Sequence, residues 1–203
     1  MISFEELRII VIVYLSALLP IILIYLKRKD VLSSAMIRVY ILSFLICSLG
    51  WELWFTFGWF EGDPVDERRS NILNLAIPKN INWLLNSLGD AGTICIGGLW
   101  LTWVLTGRCL SIFENWEWKA FFILLFWCLS QNIFVEMFLY YDQLSATKQL
   151  SWAPFAPTGP WINPVLFHFD DRTIRLQSQI PWLIMTPLLY AISIYSYRKQ
   201  RKV

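Results

Sequence analysis

Histidine is nearly missing from this sequence: its 203 residues include one, His168. A single imidazole excludes the histidine-rich ligand sets of di-iron and haem membrane enzymes. Cysteine is also scarce. Cys47, Cys95, Cys109 and Cys128 show no metal-ligand spacing, and none lies in a long connecting loop. Neither a zinc site nor a disulfide framework is expected. No glycine-rich phosphate loop occurs, and no Ser-His-Asp set stands in a recognisable motif. Charged residues make up 16% and the net charge is +2, so no global basic character points to nucleic acid. The start, MISFEELR, is acidic rather than basic and no small-residue cleavage site follows it. It reads as a retained first helix, not a cleaved signal peptide.

What the chain does have is apolar length. It is 57% hydrophobic with a mean hydropathy of +0.51, too apolar for an ordinary water-soluble domain. A helix needs about 20 mostly apolar residues to span a bilayer. Five stretches qualify, near 7–26, 36–60, 81–106, 116–141 and 180–197, with Pro20 expected to kink the first. The expected fold is all-α: one transmembrane domain over 1–203, a bundle of five helices. Short basic runs set the orientation. With the N-terminus outside and the C-terminus cytoplasmic, the inner side collects KRKD at 27–30, Arg38, Arg108, Lys119 and RKQRK at 198–202. Two longer loops, 61–80 and 142–179, then face outward. The first holds EGDPVDERR and the apolar NILNLAI; the second holds SWAPFAPTGPWINPVLFHF. Prolines restrict themselves and their preceding residues, so the second loop reads as a semi-rigid cap. Trp152 and Trp161 would anchor it at the interface or over a pocket.

The chain also matches itself weakly. WELWFTFGWF at 51–60 resembles VEMFLYY at 135–141, and INWLLNSLG at 81–89 resembles IPWLIMTPL at 180–188. Segments two and three would then be one helical hairpin, and four and five its parallel copy.

The informative residues are three acids inside apolar stretches. A carboxyl there is costly and marks a functional candidate. Helical spacing places Ser48, Glu52, Thr56 and Trp59 on one stripe, Asn82, Asn86, Asp90 and Thr93 on another, and Cys128, Asn132, Glu136 and Tyr140 on a third, with Gln131 beside it. Glu52, Asp90 and Glu136 lie about 8–14 Å below the outer ends of their segments at the helical rise. Equal depth suits a shared cavity, with the three acids as its catalytic candidates. Asn82, Asn86, Gln131 and Asn132 would bind a polar head or orient the acids. Trp51, Trp54, Trp59, Trp83 and Tyr140 would form apolar walls whose faces steady a developing cation. Small residues around Asp90, among them Ser87, Gly89, Ala91 and Gly92, turn it toward other helices. A protonated acid beside an ionised one can donate and accept a proton, so no cofactor is required. A Mg²⁺ or Mn²⁺ site from the same three carboxylates is the weaker reading, and the expected metal is none. Buried acids can also simply hold helices together, and Glu114 and Glu117 read as solvated residues of the inner interface.

Trp51-Glu52 near the end of the second segment, followed by an acid in the third, resembles the integral-membrane terpene cyclases of the fungal paxilline and meroterpenoid type. The resemblance implies Glu52 as the general acid protonating an epoxide or alkene. The chain departs from that family in helix number and in a fifth segment without an acid. A looser resemblance is to sterol-isomerase-like membrane proteins, which set intramembrane acids around a sterol pocket. Both imply a hydrophobic substrate. The expectation is acid/base cyclisation or isomerisation of an isoprenoid lipid. The alternative is a non-catalytic accessory subunit of a larger membrane complex, holding a quinone, carotenoid or other lipid.

Overall fold

The structure, a computed structural model, describes residues 2–26, 33–58, 64–139, 164–170 and 172–201. It is mostly helical. Helix α1 spans Phe4–Leu26, α2 Ser33–Leu49 and α3 Trp51–Phe57. Two short helices, α4 (Val65–Arg68) and α5 (Asn71–Ala76), lead into α6 (Lys79–Gly89). The same rod continues through a π-helical turn, Asp90–Ile96, into α7 (Gly97–Leu105). Helix α8 spans Trp118–Phe138 and α9 Ile180–Arg201. Among the described residues four helices are long and apolar enough to cross a membrane: Phe4–Leu26, Lys79–Leu105, Trp118–Phe138 and Gln177–Arg201. The pair Ser34–Leu49 and Trp51–Phe57 also qualifies if the two are one span. The chain is a multi-pass membrane protein.

The second segment departs from the single helix expected at 36–60. It breaks at Gly50, and its two parts are bent by 44°. A side chain at Gly50 would put Cβ 2.6 Å from the Ile46 carbonyl oxygen, so the local path admits only glycine. Pro20, in contrast, sits inside one continuous helix. It has no N–H to give the Ser16 carbonyl four residues back. Thr93 supplies the missing donor, Oγ1 to Ser16 O at 2.7 Å. At this crossing α1 lies close on the third rod: Cβ on Gly92 would come within 2.4 Å of Pro20 Cβ, and on Gly89 within 2.8 Å of Ser16 Oγ. The π-turn lies on the same rod, and its Ile94 carbonyl accepts from Trp127 Nε1 at 3.0 Å. Below it, Cys47, Cys95, Leu124, Cys128, Met185 and Leu189 close an apolar core between α2, α8 and α9.

Side chains tie down both ends. At one end Tyr190 Oη donates to the Ile112 carbonyl at 2.9 Å, and Arg198 Nε to the Glu114 carbonyl at 2.6 Å. Glu114, expected to be solvated, pairs with Arg201, and Glu117 accepts from Ser111 Oγ at 2.7 Å. At the other end buried Arg69 joins three groups: Asn74 Oδ1 at 2.7 Å, Asn82 Oδ1 at 2.9 Å, and the Ile77 carbonyl. Burial pushes its guanidinium down to about 10, against the opposing pull of Asp66. Loop 61–80 is therefore no free interfacial strip in its described part: Leu73 and Ile77 are buried, though Leu75 faces outward. Loop 142–179 contributes the one departure from an all-helical chain among the described residues. Strands β1 (Val165–Phe169) and β2 (Arg172–Arg175) pair antiparallel, and a 3-10 turn, Gln177–Gln179, delivers the chain to α9.

Two outcomes follow from this packing. Gly92→Leu should destabilise the fold by about 1–3 kcal/mol through overpacking against Pro20, read as a lower thermal midpoint in detergent. Gly97→Ala, whose new atom would meet nothing closer than 4.0 Å, is the control and should change little. The second concerns Asp66. Burial pushes its carboxyl up, but Lys79, 2.9 Å away, together with a backbone hydrogen bond and Arg69, outweighs that and holds it below the ordinary value. The stabilisation is then present at neutral pH and lost as pH falls through the lowered value. The midpoint advantage of wild type over Asp66→Asn should shrink between about pH 7 and about pH 3.

Candidate functional site

The bend at Gly50 and the π-turn at Asp90 both open onto one cavity of about 310 Å³. That is the lower end of the range for small-molecule sites. Five elements build it. Helix α1 gives Ile9, Ile12 and Val13; α3 gives Trp51, Glu52 and Phe55; the third rod gives Asn86, Asp90 and Thr93. Helix α8 gives Gln131, Asn132 and Phe134, and α9 gives Pro181 and Trp182. The walls are mostly apolar, with a few polar side chains among them, the pattern of a pocket for a largely hydrophobic molecule.

The acids have different surroundings. Glu52 is 2% exposed, and among the described residues its Oε2 has no hydrogen-bond partner. The Asn86 amide hydrogen-bonds its carboxyl, and Asp90 and Arg68 both lie within electrostatic reach of it. Asp90, where the π-turn begins, accepts from Trp51 Nε1 at 2.8 Å. That indole is itself set against Trp182, ring centroids 5.2 Å apart. Glu136 is also buried but is not among the cavity's lining residues. Gln179 Nε2 donates to its Oε2 at 3.2 Å and Asn132 Nδ2 to its Oε1 at 3.4 Å. Asn132 also donates to the Ser178 carbonyl and to Gln179 Oε1, both at 2.9 Å. Glu136 thus anchors the 3-10 turn to α8 from behind Asn132. The three acids share a neighbourhood, but two of them share the cavity.

The amides and aromatics divide in the same way. Asn86, Gln131, Asn132 and Trp51 reach the cavity. Asn82 does not: it is spent between Arg69 and Thr56, the latter at 3.4 Å. Trp83 donates to the Ser48 carbonyl at 2.8 Å, beside the Gly50 break, and Trp54 sits off the lining. Trp59, Tyr140, Trp152 and Trp161 lie outside the described residues. Sequence reasoning missed α1 as a wall, because its uniformly apolar face carries no signal. It also passed over Trp182 and Thr93 as lining residues, although both were in view, one in the weak repeat and one on the Asp90 stripe. No group of three or more His, Cys, Asp or Glu among the described residues could hold a metal ion. His168 stands apart on the hairpin, its Nδ1 3.3 Å from Thr173 Oγ1.

The contrast between the two buried glutamates can be measured. Glu136→Gln would present an amide N–H₂ to groups that already donate, and should cost about 1–3 kcal/mol. Glu52→Gln replaces an unpartnered oxygen and should shift stability by less than about 1 kcal/mol. Thermal unfolding of the two variants in one detergent gives the comparison; equal losses would mean Glu52 is as structural as Glu136. Comparison of the chain with protein-family models, with curated proteins and with solved structures finds no match.

Proposed function

We propose that this chain is a membrane-embedded enzyme that cyclises or isomerises an isoprenoid-type lipid by proton transfer. The observation that carries the reading is Glu52: a buried carboxyl with one oxygen unpartnered, facing a cavity with largely apolar walls. Glu136, by contrast, has both carboxyl oxygens hydrogen-bonded and lies off the cavity lining.

In this reading Glu52 passes its proton to an alkene carbon or an epoxide oxygen of the bound lipid. The positive charge that forms lies beside Trp51 and Trp182, whose faces attract cations. Asp90 then takes a proton from the rearranged carbon skeleton, closing the new double bond. Its other oxygen stays held by Trp51 Nε1. The proton returns from Asp90 to Glu52, so nothing is consumed and no cofactor is needed. Gln131 and Asn132 hold the polar end of the substrate. Glu136, the third catalytic candidate, positions Asn132 and takes no proton. The five spans count the bent pair as one, with the N-terminus outside and the C-terminus cytoplasmic on the strength of the basic inner runs. The likeness of 51–60 to 135–141 is then a parallel repeat whose two glutamates have diverged, one bonded and one open.

Protein purified gently from its own membrane tests this. Wild type should carry a lipid isomer, equal in mass to its precursor but different in chromatographic retention. Glu52→Gln should carry the precursor alone, with turnover lower by about 10²–10⁴-fold. The same lipid in both forms, in a fixed complex with unrelated membrane subunits, would instead support the accessory role.

A further inference from the structure

Among the described residues, the cavity is open on one flank. Two of its lining residues, Ile12 on α1 and Phe134 on α8, are also exposed on the outer surface of the bundle, at 37% and 56%. A residue that both lines a cavity and faces outward marks its rim. Here the rim lies on the flank of the bundle, in the first half of α1 and about one turn before the end of α8, where the surface faces hydrocarbon in a membrane-spanning bundle.

The way α1 is held fits such an opening. Its ties run to the third rod and the α5 cap. Thr93 donates to Ser16 O, Tyr14 Oη to the Ala76 carbonyl at 2.9 Å, and Ser70 Oγ to Glu6 Oε1 at 2.5 Å. The glycines at 89 and 92 bring it close on that same side. Toward α8 it leans little, and one polar contact crosses the seam: Arg8 Nη2 donates to the Phe138 carbonyl at 2.7 Å. That carbonyl belongs to the last turn of α8, where helix carbonyls lack an internal donor and a cation is favoured. The seam is therefore pinned at its outer end and apolar below.

We propose that the α1–α8 seam is a lateral entrance through which a single-chain lipid with a neutral polar group passes from the bilayer into the cavity, with Arg8 as the tie across its outer end. This deepens the proposed function, since it says how that site is reached and by what. The polar group is neutral because Glu52, Asp90, Asn86, Gln131 and Asn132 face the cavity and no lysine or arginine is among its described lining residues. An anionic head would meet two carboxyls, and the nearby cation, Arg68, stands behind Phe55 with its guanidinium donating to the Phe55 carbonyl. A hydroxyl or carbonyl would find amide partners.

The test uses the full chain in lipid nanodiscs with Cys109→Ser, which removes the exposed thiol, plus Ile12→Cys and Phe134→Cys. A reducible bis-methanethiosulfonate reagent locks the seam. The probe is a long-chain alcohol carrying a mid-chain photoreactive diazirine, with labelled positions read by mass spectrometry. In the unlocked protein, label should reach Trp51 and Trp182. Locking should lower it about tenfold and reduction restore it, as expected when a gate controls access. Label on Phe126, 74% exposed on α8, should stay constant throughout. Arg8→Ala should raise interior labelling in the unlocked form; unchanged labelling there would remove Arg8 as the tie. Interior labelling that survives locking would overturn the lateral entrance while leaving the cavity's function standing. No interior labelling even when unlocked would overturn both. Stronger interior labelling by the phosphate ester of the same alcohol would overturn the neutral head group.

Discussion

A hydrocarbon environment offers no water to a backbone carbonyl that loses its helical donor, and this one constraint organises the fold. At three irregular places in the described helices, a side chain from another segment donates to a backbone carbonyl. Pro20 leaves the Ser16 carbonyl without an N–H, and Thr93 donates to it. The helix breaks at Gly50, and Trp83 donates to the nearby Ser48 carbonyl. In the π-turn at Asp90–Ile96 the Ile94 carbonyl, which the Gly97 N–H also reaches, accepts from Trp127 as well. Each bond joins two segments, so the irregularities also fix how the helices cross. At Pro20, where the ring removes the helical donor, losing Thr93 would expose a bare carbonyl at a cost of several kcal/mol.

The cavity is a consequence of these breaks. A straight second helix would carry Glu52 along its own axis; the 44° bend brings it, with Trp51 and Phe55, against the third rod. The π-turn begins at Asp90, where one more residue per turn re-aims the side chains that follow. Turns of this kind are often found where helices serve a site. The two carboxyls meet because two separate helices are irregular at matching places. Glu136 sits in a regular stretch of α8, and its surroundings are complete.

The same comparison shows why acids of similar look in the sequence differ in the fold. Glu52 and Glu136 occupy corresponding places in similar apolar motifs, each on a helical stripe with polar neighbours. What separates them is Gln179, which reaches Glu136 from the 3-10 turn before α9, more than forty residues along the chain. Asn82 and Asn86 likewise share one stripe of α6, yet Asn82 is taken by Arg69 from the 61–80 loop and Asn86 is left to the cavity. Side-chain spacing along one helix cannot reveal a partner that arrives from another segment.

Segment positions, helical class and the candidate polar ridges were legible from composition and period alone, because bilayer thickness and the 3.6-residue turn act locally. The sequence also marked Glu52 and Asp90 as costly residues needing a reason. Tertiary structure decided the rest. It placed α1 as a cavity wall, turned Asn82 and Trp83 into structural partners, and set Glu136 behind Asn132. These outcomes depend on which donor from a distant segment satisfies which acceptor. Only the assembled bundle, where every buried polar group competes for the same few partners, determines that.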